Sequence, residues 1–329
     1  MRFSRLPILV FNLTFLAVTV VSGVIAGAFL VTSPIAFQMA SSITPVEAQE
    51  PDWGPGAASL DVERFIGSIP FRSTEALYEV RPRRLYELTM ARGLGNCANK
   101  SRGMSYHLLR AGIPFQRIDL IHVDAFVFGS GHTMIRTKYS YRGVTRTGLV
   151  DVLEGSLPEI DEVPIDLPEL RAAAPFQIAV HPLSPRVDGS SDYYGTFLEA
   201  SVISVTPMED TERYFEFIEA VHFPIGSERV SRIVFNGLAV LADRIPRRCV
   251  SAADYERLFG SRMYIVNAAW ALRVSARAVI VLLPVFMLLN AVVLVRRLRR
   301  SRRSVVGTTS VCEPTRASVA SRVDSTTMT

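Results

Sequence analysis

The sequence predicts an α+β fold in which a helix bearing Cys97 packs on an antiparallel sheet, followed by a helical extension and flanked by two transmembrane helices. Two long apolar runs predict the membrane segments. A stripe of 3.6-residue period that opens at Cys97 predicts the helix, and alternating runs on either side of Arg142-Gly143 predict the sheet. With 329 residues, 49% of them hydrophobic, and a mean hydropathy of +0.24, the chain is too apolar for an ordinary soluble enzyme, and membrane segments account for the excess.

From Leu6 to Val31 there are 26 positions without a charge, preceded by Arg2 and Arg5. A helix of that length crosses a bilayer core of roughly 30 Å. Residues 1–32 therefore read as an uncleaved anchor or a signal peptide; Val46-Glu47-Ala48 before Gln49 fits a small-residue cleavage site but lies far from the apolar run. Within 263–297, the second span, Ala278 to Val295 is apolar and is followed by Arg296, Arg297, Arg299, Arg300, Arg302 and Arg303. By the positive-inside rule both chain ends are cytoplasmic and residues 33 to about 262 lie outside, at the plasma or inner membrane. The net charge of +5 is concentrated in this membrane-flanking block, so nucleic acid is not an expected partner.

Residues 33–60, rich in Ser, Pro, Ala and Gly, read as a linker, and 61–160 as the main domain. Glu75 to Arg92 is compatible with a helix interrupted at Pro82. Gly93-Leu94-Gly95-Asn96 breaks that pattern, and Met104, Leu108 and Leu109 then mark a helix from Cys97 to Gly112. Phe115 to Phe128 reads as a strand pair or one bent strand, closed by Gly129-Ser130-Gly131. His132 to Tyr141 and Val144 to Leu153 read as a hairpin about Arg142-Gly143. That register puts Asp151 diagonal to His132 on one sheet face, within reach of an imidazole–carboxylate hydrogen bond. A Pro-rich loop is expected from Glu154 to Pro185, with Glu159, Asp161 and Glu162 on a solvated face. Helices are expected over 210–222 and 230–245. Residues 161–262 form the extracytoplasmic extension, and 298–329 a basic, disordered cytoplasmic tail.

Three cysteines, Cys97, Cys249 and Cys312, have neither disulfide nor zinc spacing, although Cys97 and Cys249 share the oxidising side and a regulatory disulfide between them is a third reading. A cysteine in isolation is most often a small buried hydrophobe. At a helix N-terminus, however, unpaired N–H groups and the helix dipole favour the nucleophilic thiolate. His132 then serves as proton carrier and Asp151 as its orienter. His107 lies about 15 Å along the helix from Cys97 and is not the base. His122 and Asp124 make only two metal ligands, so no metal and no cofactor is expected. Tyr139 and Tyr141 read as a hairpin face.

The G-x-C opening a helix, a Gly about fifteen residues on, a His opening a strand and an Asp ending the next strand resemble the transglutaminase-like superfamily over Gly95 to Gly155. The resemblance implies a papain-like core with Cys97 as nucleophile, His132 as general base and acid, and Asp151 as orienter. Thr133-Met134 follows the His where that family commonly has an aromatic, and Val152-Leu153 follows the Asp where it often has a Pro. The implied activity is amide hydrolysis or acyl transfer through a thioester, on a peptide or protein amide. The alternative is a catalytically silent binding or assembly module with cell-envelope partners, marked by a Cys97 that is buried or out of reach of His132.

Overall fold

The computed structural model describes residues 6–32, 34–126, 129, 131–183, 192–223 and 225–308. Arg2, Arg5, Phe128, Ser130, Pro185 and the tail beyond Thr308, with Cys312, lie outside the described residues. Helices α1 (Leu6–Thr32) and α2 (Pro34–Ser42) lead into strand β1 (Ile43–Thr44), and β2 (Leu60–Asp61) into α3 (Val62–Ser68). α4 (Pro82–Tyr86) continues as a π-turn over Glu87–Ala91. Then come α5 (Cys97–Ala111), β3 (Phe115–His122), β4 (Gly131–Tyr141), β5 (Val144–Val150), β6 (Ser156–Ile160), β7 (Val163–Pro164), α6 (Leu167–Ala172) and β8 (Ala179–Pro182). α7 (Thr196–Glu199), β9 (Ser201–Pro207), α8 (Met208–Val221), α9 (Glu228–Leu241), β10 (Arg248–Cys249), α10 (Ala252–Phe259) and α11 (Met263–Thr308) complete the chain.

The fold is mixed α/β: a mainly antiparallel sheet ordered β1-β10-β9-β3-β4-β2, with β5 also on β4, a small sheet β7-β6-β8, and a long apolar C-terminal helix. The β4–β5 hairpin has the expected register, Tyr141 opposite Val144, because Arg142 and Gly143 both adopt positive φ (48° and 75°), the conformation a two-residue turn needs to follow strand twist. The ladder stops at Ile135 opposite Val150, earlier than Leu153, and the chain turns at Asp151 to pair with Ser156. Helix α5 lays Met104 and Leu108 against Phe115, Ile135 and Val150 on one face of the sheet. On the other face Ile118, Leu120, Met134 and Val205 pack with Leu167, Leu170 and Tyr194.

Several sequence expectations are corrected. The linker over 33–60 is part of the fold: it supplies α2 and β1, and Glu50 and Trp53 close over the Arg136 guanidinium, Glu50 at 2.5 Å and the Trp53 ring centroid at 5.2 Å. Pro82 begins a helix rather than interrupting one, since its fixed φ suits the first helical position while holding Arg81 extended (ψ 122°). The Pro-rich loop over 154–185 contains the small sheet and α6; Asp161 and Glu162 at positive φ (51° and 63°) make its tight turn, and Glu159 is buried rather than solvated. β9, a Val- and Ile-rich run inside the expected extension, lies in the middle of the main sheet between β3 and β10, so the boundary expected at 160 does not divide the fold. The tail expected to be disordered from 298 is helical to Thr308. Cys97 and Cys249 are both free, so the disulfide reading is set aside.

The chain clusters into two compact units, Val20–Arg277 and the two ends, up to Thr19 and from Ala278. In the second unit, Asn12 and Asn290 exchange amide hydrogen bonds (3.0 and 3.2 Å), and Phe15 stacks on Phe286 with centroids 4.5 Å apart. Leu9, Leu13, Leu16, Val281, Met287 and Leu288 are exposed around this contact. Among the described residues, one helix, ending at Arg299, is long and apolar enough to cross a membrane; the apolar helix Ile8–Val24 is shorter.

Gly103 sets how closely α5 sits on the π-turn. A Cβ there would lie 2.0 Å from Thr89 Oγ1, which itself donates to the Leu85 carbonyl at 2.7 Å. Alanine gains roughly 1 kcal/mol of helix propensity over glycine. Overpacking a fixed neighbour costs typically about 1–3 kcal/mol, so Gly103→Ala should lower the urea midpoint and Gly103→Ala with Thr89→Ala should recover part of the loss.

Candidate active site

Cys97 is the first residue of α5, held there by a capping box. The Asn96 carboxamide accepts the Asn99 N–H (3.1 Å), and Asn99 Oδ1 accepts the Asn96 N–H (3.3 Å). The same Asn99 side chain holds the extended segment before α4, accepting from Leu77 N (2.8 Å) and donating to Leu77 O (3.1 Å). The cap uses the amides of Asn96 and Asn99, and Lys100 N bonds the Asn96 carbonyl, leaving the amides of Cys97 and Ala98 as those of the first turn not so engaged. Gly95 is required at φ 97°, where a Cβ would strike Asn99 Cβ at 2.8 Å.

The thiol donates to the Gly131 carbonyl at 3.8 Å, one residue before His132. Gly131 must lack a side chain, because a Cβ would meet the Leu120 carbonyl at 2.7 Å. Strand β4 therefore starts beside the thiol, and His132 is its second residue. His132 Nε2 contacts Asp151 Oδ2 at 2.6 Å with both side chains fully buried. Its other ring nitrogen, Nδ1, has no hydrogen bond of conventional geometry, and Cys97 is the second group whose interaction favours the imidazolium.

Asp151 is held by four donors. Oδ2 accepts from His132 and from the Tyr194 hydroxyl (2.9 Å); Oδ1 accepts from the amides of Leu153 (3.1 Å) and Glu154 (3.2 Å). Burial alone would raise the Asp151 carboxyl, but His132 and these hydrogen bonds hold it below its ordinary value. Burial alone would likewise depress His132, yet Asp151, with Cys97 behind it, pushes it up to about 10. Burial, and then the Asp151 charge, keeps Tyr194 protonated as a donor.

Tyr193 stacks on the His132 ring with centroids 3.9 Å apart and planes 12° from parallel. The aromatic neighbour of His132 thus comes from a residue 61 positions later, in a turn at Asp192–Tyr194. Tyr193, Tyr194 and the capping box were not anticipated from sequence. The box was legible as Asn96-x-x-Asn99 before an apolar stripe; the tyrosines carry no local signal. His107 instead stacks on Phe65 (4.5 Å), and His122 Nδ1 accepts the Asp124 amide (3.3 Å). Among the described residues no cluster of three or more His, Cys, Asp or Glu could hold a metal ion. Tyr139 and Tyr141 are core residues.

No family model, curated protein or solved structure matches this chain.

A His raised in the folded state contributes stability that is present below its unfolded value and is lost as pH rises through its folded value. With His132 lifted from 6.5 to about 10, its contribution should decline across that window. Thermal midpoints of the native protein should therefore fall over this range more steeply than those of His132→Gln, whose profile should be flatter.

Proposed function

We propose that this chain is a membrane-anchored, extracytoplasmic thiol enzyme of transglutaminase-like type, with a papain-like core and Cys97, His132 and Asp151 as its triad. The observation that carries this reading is the fully buried 2.6 Å contact between His132 Nε2 and Asp151, with Cys97 acting on the same imidazole. Asp151 fixes the ring and favours its protonated form, which pairs with a thiolate.

In the reaction, the Cys97 thiolate attacks the carbonyl carbon of a peptide or protein amide. The negative charge moves to the carbonyl oxygen, which the Cys97 N–H faces at the helix start. Collapse breaks the C–N bond as the His132 imidazolium gives its proton to the leaving amine, and a thioester remains. Neutral His132 then takes a proton from water or an acceptor amine, whose oxygen or nitrogen attacks the thioester and returns the thiolate. Tyr193 covers one face of the imidazole, which limits the water competing for its proton.

A second reading, a silent binding or assembly module in an envelope complex, is favoured by one observation: Cys97 is only 9% exposed. Alkylation separates the two. Burial pushes the Cys249 thiol up, so an active Cys97 should react with iodoacetamide at neutral pH at least tenfold faster than Cys249 in the folded protein. Cys97→Ala should abolish amidase or acyl-transfer activity with the fold intact, His132→Ala should nearly do so, and Asp151→Asn should be milder. Equal alkylation of the two thiols, with no phenotype for Cys97→Ala, would give the site to the binding module.

The two apolar helices are proposed as a membrane hairpin with both chain ends cytoplasmic. The reciprocal Asn12–Asn290 bonds support it, because polar side chains in lipid are satisfied across helices while apolar ones face outward. A reporter fused after Gly260 should be active outside and one after Ser304 inside. An inside signal at Gly260 would sink this topology.

A further inference from the structure

Helix α9 is apolar on two sides. Its inner face buries Ser231, Phe235, Asn236, Ala239 and Val240, with Asn236 accepting the Tyr214 hydroxyl at 2.8 Å. Its outer face carries Val230, Ile233, Val234, Gly237, Leu238 and Leu241, at the spacing of one continuous helical stripe. Val230 is 45% exposed, and Ile233 and Leu238 are each 37% exposed. A Cβ on Gly237 would meet nothing within 4 Å, so the stripe is uncovered at its middle. An outer face built for water would be polar there.

Both neighbours of this helix lead by covalent continuity into the apolar segments. α9 packs on α2, which follows α1 in the chain. At its other end Arg277 Nε donates to the Leu241 carbonyl at 2.8 Å, and Arg277 pairs with Asp243 at 2.6 Å; Arg273 also pairs with Asp243. The next residue, Ala278, begins the uncharged run of α11. Arg229 and Arg244 stand exposed at the two ends of the stripe. Phe223, just before α9, is 55% exposed, and Trp270, about 12 Å before Ala278 along the axis of α11, is 65% exposed. An apolar stripe, exposed arginines at its ends beside Glu228 and Asp243, and flanking aromatics suit a helix that lies in a bilayer surface.

We propose that the outer stripe of α9 is a membrane-docking surface that rests in the headgroup and acyl boundary of the outer leaflet. Val20–Arg277 is then seated on the bilayer as well as tethered to it. The proposal rests on reading α11 as a span, and the outer stripe itself, Val230, Ile233, Val234, Gly237, Leu238 and Leu241, carries no hydrogen-bonding side chain.

The test uses the full chain in vesicles of phosphatidylcholine and phosphatidylglycerol, part of the phosphatidylcholine carrying a diazirine on its acyl chain. After irradiation, lipid adducts are mapped by mass spectrometry. Adducts are expected on the apolar run of α11 and on Glu228–Leu241, and none on the β4–β5 turn, where Val144 is 51% exposed. Adducts on α11 with none on α9 overturn the docking and leave the span standing. No adducts on α11 remove the span and the docking with it, and equal labelling of α9 and the β4–β5 turn overturns the docking as non-specific. Ile233→Asp with Leu238→Asp should abolish the α9 adducts while those on α11 persist. Since both positions are exposed, an unchanged circular dichroism spectrum is expected; adducts that survive this double change also overturn the proposal.

Discussion

The buried pair of His132 and Asp151 is the contact on which the arrangement of the site depends. Two ionisable groups with no exposure are costly unless each is fully satisfied, and removing one partner of such a pair leaves the other as an uncompensated charge. Here the satisfaction is nearly complete. Asp151 receives four hydrogen bonds, from an imidazole, a phenol and two backbone amides. The early end of β5 follows from the same requirement: the carboxylate captures the Leu153 and Glu154 amides, which turns the chain out of the ladder and into β6. A local backbone departure from the hairpin is thus tied to the electrostatics of the site.

The thiol is placed by a different kind of constraint, steric rather than electrostatic. Gly95 at positive φ lets the chain enter α5 under the Asn99 side chain, and Gly131 lets β4 begin against β3 with no side chain in the way. Gly103 lets the helix settle on the π-turn. Three positions without a Cβ therefore fix the N-terminus of α5 beside the start of β4. The Asn96–Asn99 box then settles which amides of the first turn the cap engages. The unpaired Nδ1 of His132 is the polar atom left over by this assembly, on the imidazole whose proton both Asp151 and Cys97 favour.

The apolar helices of the chain ends follow a different rule. In the unit formed by the chain ends, Asn12 is turned onto Asn290, and large apolar side chains such as Leu13, Leu16 and Leu288 face outward. In Val20–Arg277 the outer stripe of α9 carries the exposed Val230, Ile233 and Leu238. Arg273, Arg277 and Asp243 form a charged clamp between the end of α9 and the last turns of α11 before its uncharged run.

What the sequence by itself determined is whatever depends on neighbours in the chain. The helix from Cys97 to Gly112 was legible from its apolar period and glycine stop, and the hairpin register from Arg142-Gly143; that register also pointed to the His132–Asp151 contact, although the ladder ends at Ile135 and Val150 before it reaches either residue. The apolar run after Ala278 was legible from composition alone. Only the tertiary structure decided the rest, because those interactions join residues whose separation leaves no periodic trace. Tyr194 reaches Asp151 across 43 positions, Glu50 reaches Arg136 across 86, and β9 pairs with β3 across all the chain from β4 to α7. The linker read as structureless became structure for the same reason: a Ser-, Pro- and Ala-rich segment has no amphipathic period of its own, and it is ordered by the guanidinium and sheet edge it covers. Period and turn chemistry are properties of a local chain, whereas a shield on an imidazole or a fourth donor to a carboxylate exists only when the sheet has brought distant segments together.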